Sequence, residues 1–348
     1  MQKTIFVVDD SSTNLSAAEG VLEKHYNVIT LSSAERMFNV LERVKPDLIL
    51  LDIEMPDMDG YDAIQLLKNN SLYEHIPVIF LTRLTDDVNE AHGIELGAID
   101  FITKPFSEAV LLNRIRQHLH IDEIIQERTS QLIRLQNSIV FTLANIVENR
   151  DANTGGHIER TTVYIEILLN AMVQQGVYAD EINTWNIESV VSSARLHDVG
   201  KIAIPDAVLN KPGPLTEEEF DTMRTHCLAG EKIIVQMAFQ TGEIEFLNNA
   251  RWSAVYHHER WDGTGYPYGL KGLDIPLQGR IMAIVDVYDA LTTERPYKQP
   301  IPHEEALRII KSESGKHFDP QIVSVFCDVH EQIADARKSI KAAGEPPT

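Results

Sequence analysis

The chain has 348 residues, 43% hydrophobic and 24% charged, an ordinary globular composition long enough for two or three domains at ~100–200 residues each. Its 31 basic against 52 acidic side chains leave a formal charge of −21, a surface that repels nucleic-acid phosphates and argues against DNA or RNA as a partner. No apolar run approaches the ~20 residues of a membrane helix, acidic residues arrive by position 9, too early for a signal segment, and Cys227 and Cys327 can build neither a disulfide framework nor a four-thiolate zinc site, so a reduced cytoplasmic protein without a membrane partner is expected.

Residues 1–118 alternate short apolar runs with helical segments, the pattern of a βα-repeating parallel sheet. Strands are predicted at Thr4–Val8, Asn27–Ile29, Leu48–Leu51, Val78–Leu81 and Asp100–Thr103. Five such strands form a doubly wound sheet, whose functional groups gather at the strands' carboxyl ends. Asp9, Asp10, Asp52, Thr82 and Lys104 all follow strands in this way. An aspartate after a strand is usually a turn former or helix cap, but several on one edge can place carboxylate oxygens around one Mg²⁺. A free oxygen of Asp52 can then accept a phosphoryl group, with Thr82 and Lys104 on the new phosphate oxygens and Phe101 repacking as Thr82 moves. This whole segment resembles the receiver domain of two-component response regulators. The resemblance implies Asp52 as phosphoacceptor, a cis peptide at Lys104-Pro105 and a sensor histidine kinase as partner. Arg83 departs from the small residue usual in receivers, which narrows access to Asp52.

Residues 119–147 lack Pro and Gly, and Leu132, Leu135, Ile139, Thr142 and Ile146 recur at spacings of three and four. Two readings fit this helical linker: the coiled-coil seam of a parallel homodimer, or a helix packed on the domain that follows. That domain is read as 148–340, all helical, with 341–348 a frayed tail.

Eight of the 13 histidines lie between His157 and His330. His197-Asp198, in SSARLHDVGKIAIPD, is read as part of a buried helix broken at Gly200. His157, His226, His257, His258 and Asp286 share its apolar surroundings. A lone His-Asp pair is more often structural, but imidazole and carboxylate together suit borderline transition metals. Cys227, one helical step of ~100° from His226, is expected to face away. So many ligands exceed what one ion with an open position can use. Two ions are therefore expected, with Asp198 bridging, His157, His197 and Asp286 completing one, and His226, His257 and His258 the other. Such a pair activates hydroxide for phosphoester hydrolysis. Lys201, three residues after Asp198, and Arg295 and Lys298, shortly after Asp286, suit phosphate oxygens. In HHERWDGTGYPYGLKG, Trp261 and Tyr266 can stack on a base or on the protein.

These residues resemble the HD-GYP family of HD-fold metal phosphohydrolases: His197-Asp198-Val-Gly200-Lys201, the run from His257 to Pro267, the Asp289-Ala-Leu segment, Arg295-Pro-Tyr297 and Phe318-Asp319-Pro320. The match runs from about 145 to 330. It implies an HD-type helical bundle, hydrolysis of cyclic di-GMP to pGpG or GMP, and two transition metals, iron or manganese before zinc or nickel. It also implies catalytic roles for Asp198 and Lys201, with substrate held by Lys201, Asp289, Arg295, Lys298 and Tyr266, Asp289 helping to orient the site. The alternatives are a hydrolase preferring hybrid cyclic GMP-AMP and a binding module that engages diguanylate cyclase proteins with little turnover. Some members hold a third ion through a glutamate four residues before the position of His157. Here that residue is Asn153, and helical spacing would put Asp151 off that face and Glu148 more than two turns away.

Overall fold

The computed structural model describes residues 2–83, 87–150, 156–242, 244–294 and 299–344. The chain divides into two compact units, Met1–Leu132 and Ile133–Thr348.

The first unit runs β1 (Thr4–Val8), α1 (Ser12–Leu22), β2 (Asn27–Leu31), α2 (Ala34–Leu41), β3 (Leu48–Asp52), α3 (Gly60–Lys68), β4 (Val78–Thr82), α4 (Asp87–Glu95) and β5 (Asp100–Thr103), followed by the long helix α5 (Glu108–Glu148). The strands form one parallel sheet in the order β2-β1-β3-β4-β5. Helices cover both faces of such a sheet, so its central strands read as continuous apolar runs. Phe6, Val8, Ile49, Leu51 and Phe80 fill one face. Ile5, Val7, Leu50, Ile79 and Leu81 fill the other, following the two-residue alternation of a strand. Three strands extend past the sequence reading, β2 to Leu31, β3 to Asp52 and β4 to Thr82. The register pairs Val8 with Leu51, Asp52 with Leu81 and Thr82 with Thr103. That alignment sets the polar strand ends along one edge.

Helix α5 is continuous through the predicted linker. Its residues Val140, Ala144 and Val147 are buried, whereas Leu132, Leu135, Ile139 and Ile146 stay between 51% and 65% exposed. The helix therefore has a packed face and a separate apolar seam open to solvent.

The second unit continues with α6 (His157–Gln174), α7 (Ala179–Ile182), α8 (Ile187–Ser193), α9 (Asp206–Leu209), α10 (Glu217–Arg224), α11 (His226–Thr241), α12 (Glu245–Tyr256), α13 (Leu277–Thr292), α14 (His303–Ser312), α15 (Pro320–Asp328) and α16 (His330–Gly344). α6 and α13 run through its core, where Tyr164, Leu168, Met172, Ile281, Val285, Tyr288 and Phe326 are buried together. His197-Asp198 departs from the sequence expectation. The pair lies between two 3-10 turns, Ala194–Leu196 and Val199–Ala203, and not inside a buried α-helix. Gly200 explains the tighter winding, because a Cβ there would fall 1.9 Å from the carbonyl oxygen of His226 and 2.4 Å from the nitrogen of Gly230. Glycine lets this turn press directly onto α11, and the contact brings residues 197–198 beside His226.

Candidate metal centre

His157 opens α6, His197 and Asp198 stand between the 3-10 turns, His226 opens α11, His257 and His258 follow α12, and Asp286 lies in α13. The sequence scatters these residues over 130 positions, and the bundle gathers their side chains. His157, His197 and Asp198 place ligand atoms within 4.8 Å of one another, as do His226, His257 and His258. Asp286 Oδ1 is 3.5 Å from His157 Nε2.

The orientation of the rings follows from their Nδ1 partners. His197 Nδ1 meets the Ala194 carbonyl at 2.9 Å, His226 Nδ1 that of Met223 at 2.7 Å, and His257 Nδ1 that of Ser253 at 3.0 Å. His157 Nδ1 meets Asp289 Oδ2 at 2.8 Å. A carbonyl or an ionised carboxylate only accepts, so each Nδ1 donates and each neutral ring keeps a lone pair on Nε2, although at His157, against burial, the bond to Asp289 favours the charged form. Those lone pairs face one another, 3.4 Å apart between His157 and His197 and 3.4 Å between His226 and His257. Two acceptors at that distance are repulsive unless a cation lies between them. Ligands at ~2.1 Å around a tetrahedral ion are spaced by about this amount.

Asp198 stands at the junction. Its Oδ2 is 3.4 Å from His197 Nε2, while Oδ1 is 3.5 Å from His226 Nε2 and 3.8 Å from His257 Nε2. Oδ1 is buried and has no hydrogen-bond donor, a costly state for a carboxylate oxygen. Burial works against its charge, yet Lys201 and His197 hold the carboxyl well below its usual range. Burial and neighbouring positive charge push His257 down to about 3 and His258 well below the usual histidine range. These rings are thus neutral ligands at physiological pH. The donor set, imidazole nitrogens around one two-faced carboxylate, fits a pair of divalent cations.

A family model described as HD domain matches residues 123–322, and one described as response regulator receiver domain matches 5–116. The chain belongs to the HD-domain family. It is 40% identical over 361 residues to a Vibrio cholerae protein named probable cyclic di-GMP phosphodiesterase, covering 97% of this chain and 82% of that one. It is 31% identical to the cyclic di-GMP phosphodiesterase response regulator RpfG of Xanthomonas campestris, over 94% of this chain and 88% of the relative. A third relative, 3'3'-cGAMP-specific phosphodiesterase 2 of Vibrio cholerae, is 37% identical over 58% of this chain and 36% of its own length.

Within the HD domain, Lys201 Nζ sits 2.7 Å from Asp198 Oδ2, because residues three apart eclipse on a 3-10 turn. Asp289, expected to contact substrate as well as to orient the site, is 1% exposed. Both its oxygens are committed, to His157 Nδ1 and to Arg160, whose Nε is 2.7 Å away, so a substrate contact is corrected to an orienting one. Tyr266 stacks on His258 with ring centroids 4.8 Å apart, and Arg224 lies 5.3 Å from the tyrosine ring. Cys227 does not face away: its Sγ is 3.5 Å from His226 Nε2. Burial, with Asp198 nearby, pushes this thiol well above its usual range and keeps it protonated. Arg295, Lys298, Asp151 and Asn153 lie outside the described residues.

Sequence reasoning missed Arg160, Glu148 and Glu259. Arg160 had a signal, as it follows His157 by three residues on one helix just as Asp289 follows Asp286. Glu148, judged too distant, has its Oε1 2.9 Å from the His157 nitrogen, because the helical spacing assumed across 149–156 ends with α5. Glu259 is buried and accepts the N–H groups of Tyr268, Gly269 and Leu270, tying down the loop after His258. Gly265 belongs to the same loop, where a Cβ would meet the Arg260 nitrogen at 2.3 Å.

In the receiver, Asp9, Asp10 and Asp52 form a third group of candidate ligands, all carboxylates. Lys104 Nζ bridges Asp9 Oδ2 at 2.6 Å and Asp52 Oδ1 at 2.7 Å. Burial pushes the Asp52 carboxyl up against the pull of Lys104. Thr82 is buried beside it, Phe101 stacks on Phe80 at 6.4 Å, the Lys104-Pro105 peptide is cis, and Arg83 is exposed. Among the described residues no helix is long and apolar enough to cross a membrane.

Proposed function

We propose that the chain is a cytoplasmic two-component response regulator that hydrolyses cyclic di-GMP at a dinuclear metal centre under control of phosphorylation at Asp52. The observation that carries this reading is the ring of Nε2 lone pairs around the unpartnered Asp198 Oδ1. Near-full-length similarity to phosphodiesterases that include a response regulator supports the substrate and the control.

His157, His197 and Asp286 would hold one ion and His226, His257 and His258 the other, with Asp198 placed to serve both. Iron or manganese suits this thiolate-free set best, ahead of zinc or nickel. Bound there, two cations supply an activated hydroxide and neutralise the phosphoryl oxygens. Lys201, beside the bridge, turns its ammonium to the substrate phosphate, joined by Arg295 and Lys298. Asp289 and Arg160 keep the His157 ring in register, and Glu259 shapes the loop carrying Tyr266 beside the substrate.

In the receiver, Asp9, Asp10 and Asp52 take Mg²⁺, Asp52 accepts a phosphoryl group from a sensor kinase, and Thr82, Lys104 and Phe101 respond. The exposed seam of Leu132, Leu135, Ile139 and Ile146 fits a homodimer partner helix, and the loop around Tyr266 offers a surface to diguanylate cyclase proteins. The similarity to a cGAMP-specific enzyme over the catalytic half favours hybrid cyclic GMP-AMP as the second reading.

Metal-loaded protein, incubated separately with cyclic di-GMP and 3'3'-cGAMP and analysed for nucleotide products, tests the reading. Faster turnover of cyclic di-GMP is expected, changed by acetyl phosphate and Mg²⁺ in the wild type but not in Asp52→Asn. Preference for 3'3'-cGAMP would select the second reading, and turnover of neither would overturn both.

A further inference from the structure

The bundle holds His157 by two handles. One is on the side chain, where Asp289 receives Nδ1–H. The other is on the backbone, where Glu148 Oε1 accepts the N–H at 2.9 Å. A helix leaves its first N–H groups without partners inside the helix. At α6 the N-cap is Gly156, at φ 76°, with no side chain to cap them. Glu148 is the last residue of α5. The cap of the helix that opens with a metal ligand is therefore supplied by a different helix.

Stability alone explains this arrangement poorly. Glu148 is 8% exposed, and its Oε2 is buried with no partner. A neutral side chain of the same shape would accept the same N–H bonds without desolvating a charge. Glu148 also lines the small recess shared with His157, His197, Asp198 and Lys201, so this cap lies where the candidate metal ligands converge.

We infer that Glu148 is a positioning residue for the metal centre, through which the end of α5 sets the backbone of His157. The same helix begins at Glu108, just after the last receiver strand. A rotation or slide of α5 along its packed face of Val140, Ala144 and Val147 would carry Glu148 with it. His157 would then move relative to Asp289, which α13 holds fixed. The position of one ligand is thereby exposed to the helix that leaves the receiver. This regulatory half rests on reading the chain as a phosphorylation-controlled hydrolase.

The test uses the full chain stripped by chelator and titrated with Mn²⁺, with Glu148→Ala, Glu148→Asp and Glu148→Gln compared. A cap acting through length and acceptance, not charge, predicts that one of two Mn²⁺ equivalents weakens by about 10–100-fold in Glu148→Ala. Glu148→Asp, which withdraws the carboxylate, should weaken it too. Glu148→Gln should remain near wild type, and the other equivalent should be unchanged throughout. Wild-type affinity for both equivalents in Glu148→Asp would overturn the positioning role, even if Glu148→Ala fails to fold. With metals saturated, the activity ratio with and without acetyl phosphate should shrink in Glu148→Asp, and an unchanged ratio would overturn the coupling. If the wild type turns over no cyclic dinucleotide, the proposed function fails, and the Mn²⁺ titration still decides the role of Glu148.

Discussion

Asp289 Oδ2 lies 2.8 Å from His157 Nδ1, and Arg160 grips the same carboxylate with its Nε 2.7 Å from Oδ1. The histidine is thus a candidate metal ligand on one edge and a donor to a buried ion pair on the other. Second-layer carboxylates of this kind fix the tautomer and raise ligand basicity. Asp289→Asn should lower metal affinity by about 10–100-fold, read by competition with a chelator. It should also destabilise the fold by ~3–5 kcal/mol, because Arg160 loses its buried counter-charge. Unchanged metal affinity in a folded variant would show that the pair serves stability alone.

Asp198 and Lys201 should separate metal binding from chemistry. Asp198→Ala removes the carboxylate that faces both histidine groups, so metal retention and turnover are expected to fall together. Lys201→Ala removes a competitor for Asp198 Oδ2 and the phosphate contact proposed for it. It should keep its metal and lose rate by roughly 10²–10³-fold, the usual effect of deleting one charge-stabilising donor. Elemental analysis beside steady-state kinetics distinguishes the two, and a metal-depleted Lys201→Ala would contradict the assignment.

Gly200→Ala tests the close approach of the 3-10 turn to α11. Its Cβ would collide with backbone atoms of His226 and Gly230, which cannot move aside as a side chain can. A loss of roughly 1–3 kcal/mol or more in urea unfolding is expected, with weaker metal binding because Asp198 and His226 are forced apart. A variant as stable as wild type would mean the turn yields freely.

The HD domain should lose stability on acidification from pH 6.5. Burial, aided by Arg260, lowers His317 to about 4. The unfolded chain therefore takes up a proton below 6.5 that the folded chain refuses, and stability falls as pH drops from 6.5 towards 4. His257, at about 3, adds to this slope in metal-free protein. Asp289 acts in a lower window. Burial opposes its ionisation, but the bonds from His157 and Arg160 hold it at about 2, so its contribution is present above 3.8 and lost as pH falls to 2. Urea titrations of His317→Gln should show a shallower decline between pH 6.5 and 4, and an identical slope would exclude His317 as its source.

The sheet and its functional edge were legible because parallel strands announce themselves as apolar runs and their polar ends share one register. The metal-ligand candidates were legible because histidines among apolar neighbours are conspicuous. What the pattern concealed were departures from α-helical spacing. The eclipsed 3-10 turn that stacks Lys201 on Asp198 looks like a helix in sequence. The chain's exit from helix after Glu148 turns a remote residue into a neighbour of His157. Cys227 was misplaced for a related reason, since angular spacing locates a Cβ and not the far end of an imidazole.

Lys104 between Asp9 and Asp52, and Lys201 against Asp198, give the two units a common device. Each ammonium is a tethered counter-ion, held by the chain at a carboxylate of a candidate cation site. In a protein of charge −21, this lets the carboxylates of both centres pack without waiting for dissolved metal. An arriving ion would then displace a positive charge instead of neutralising a bare negative one. The ammonium released would stay beside its centre, so loading the centre would also arm its lysine.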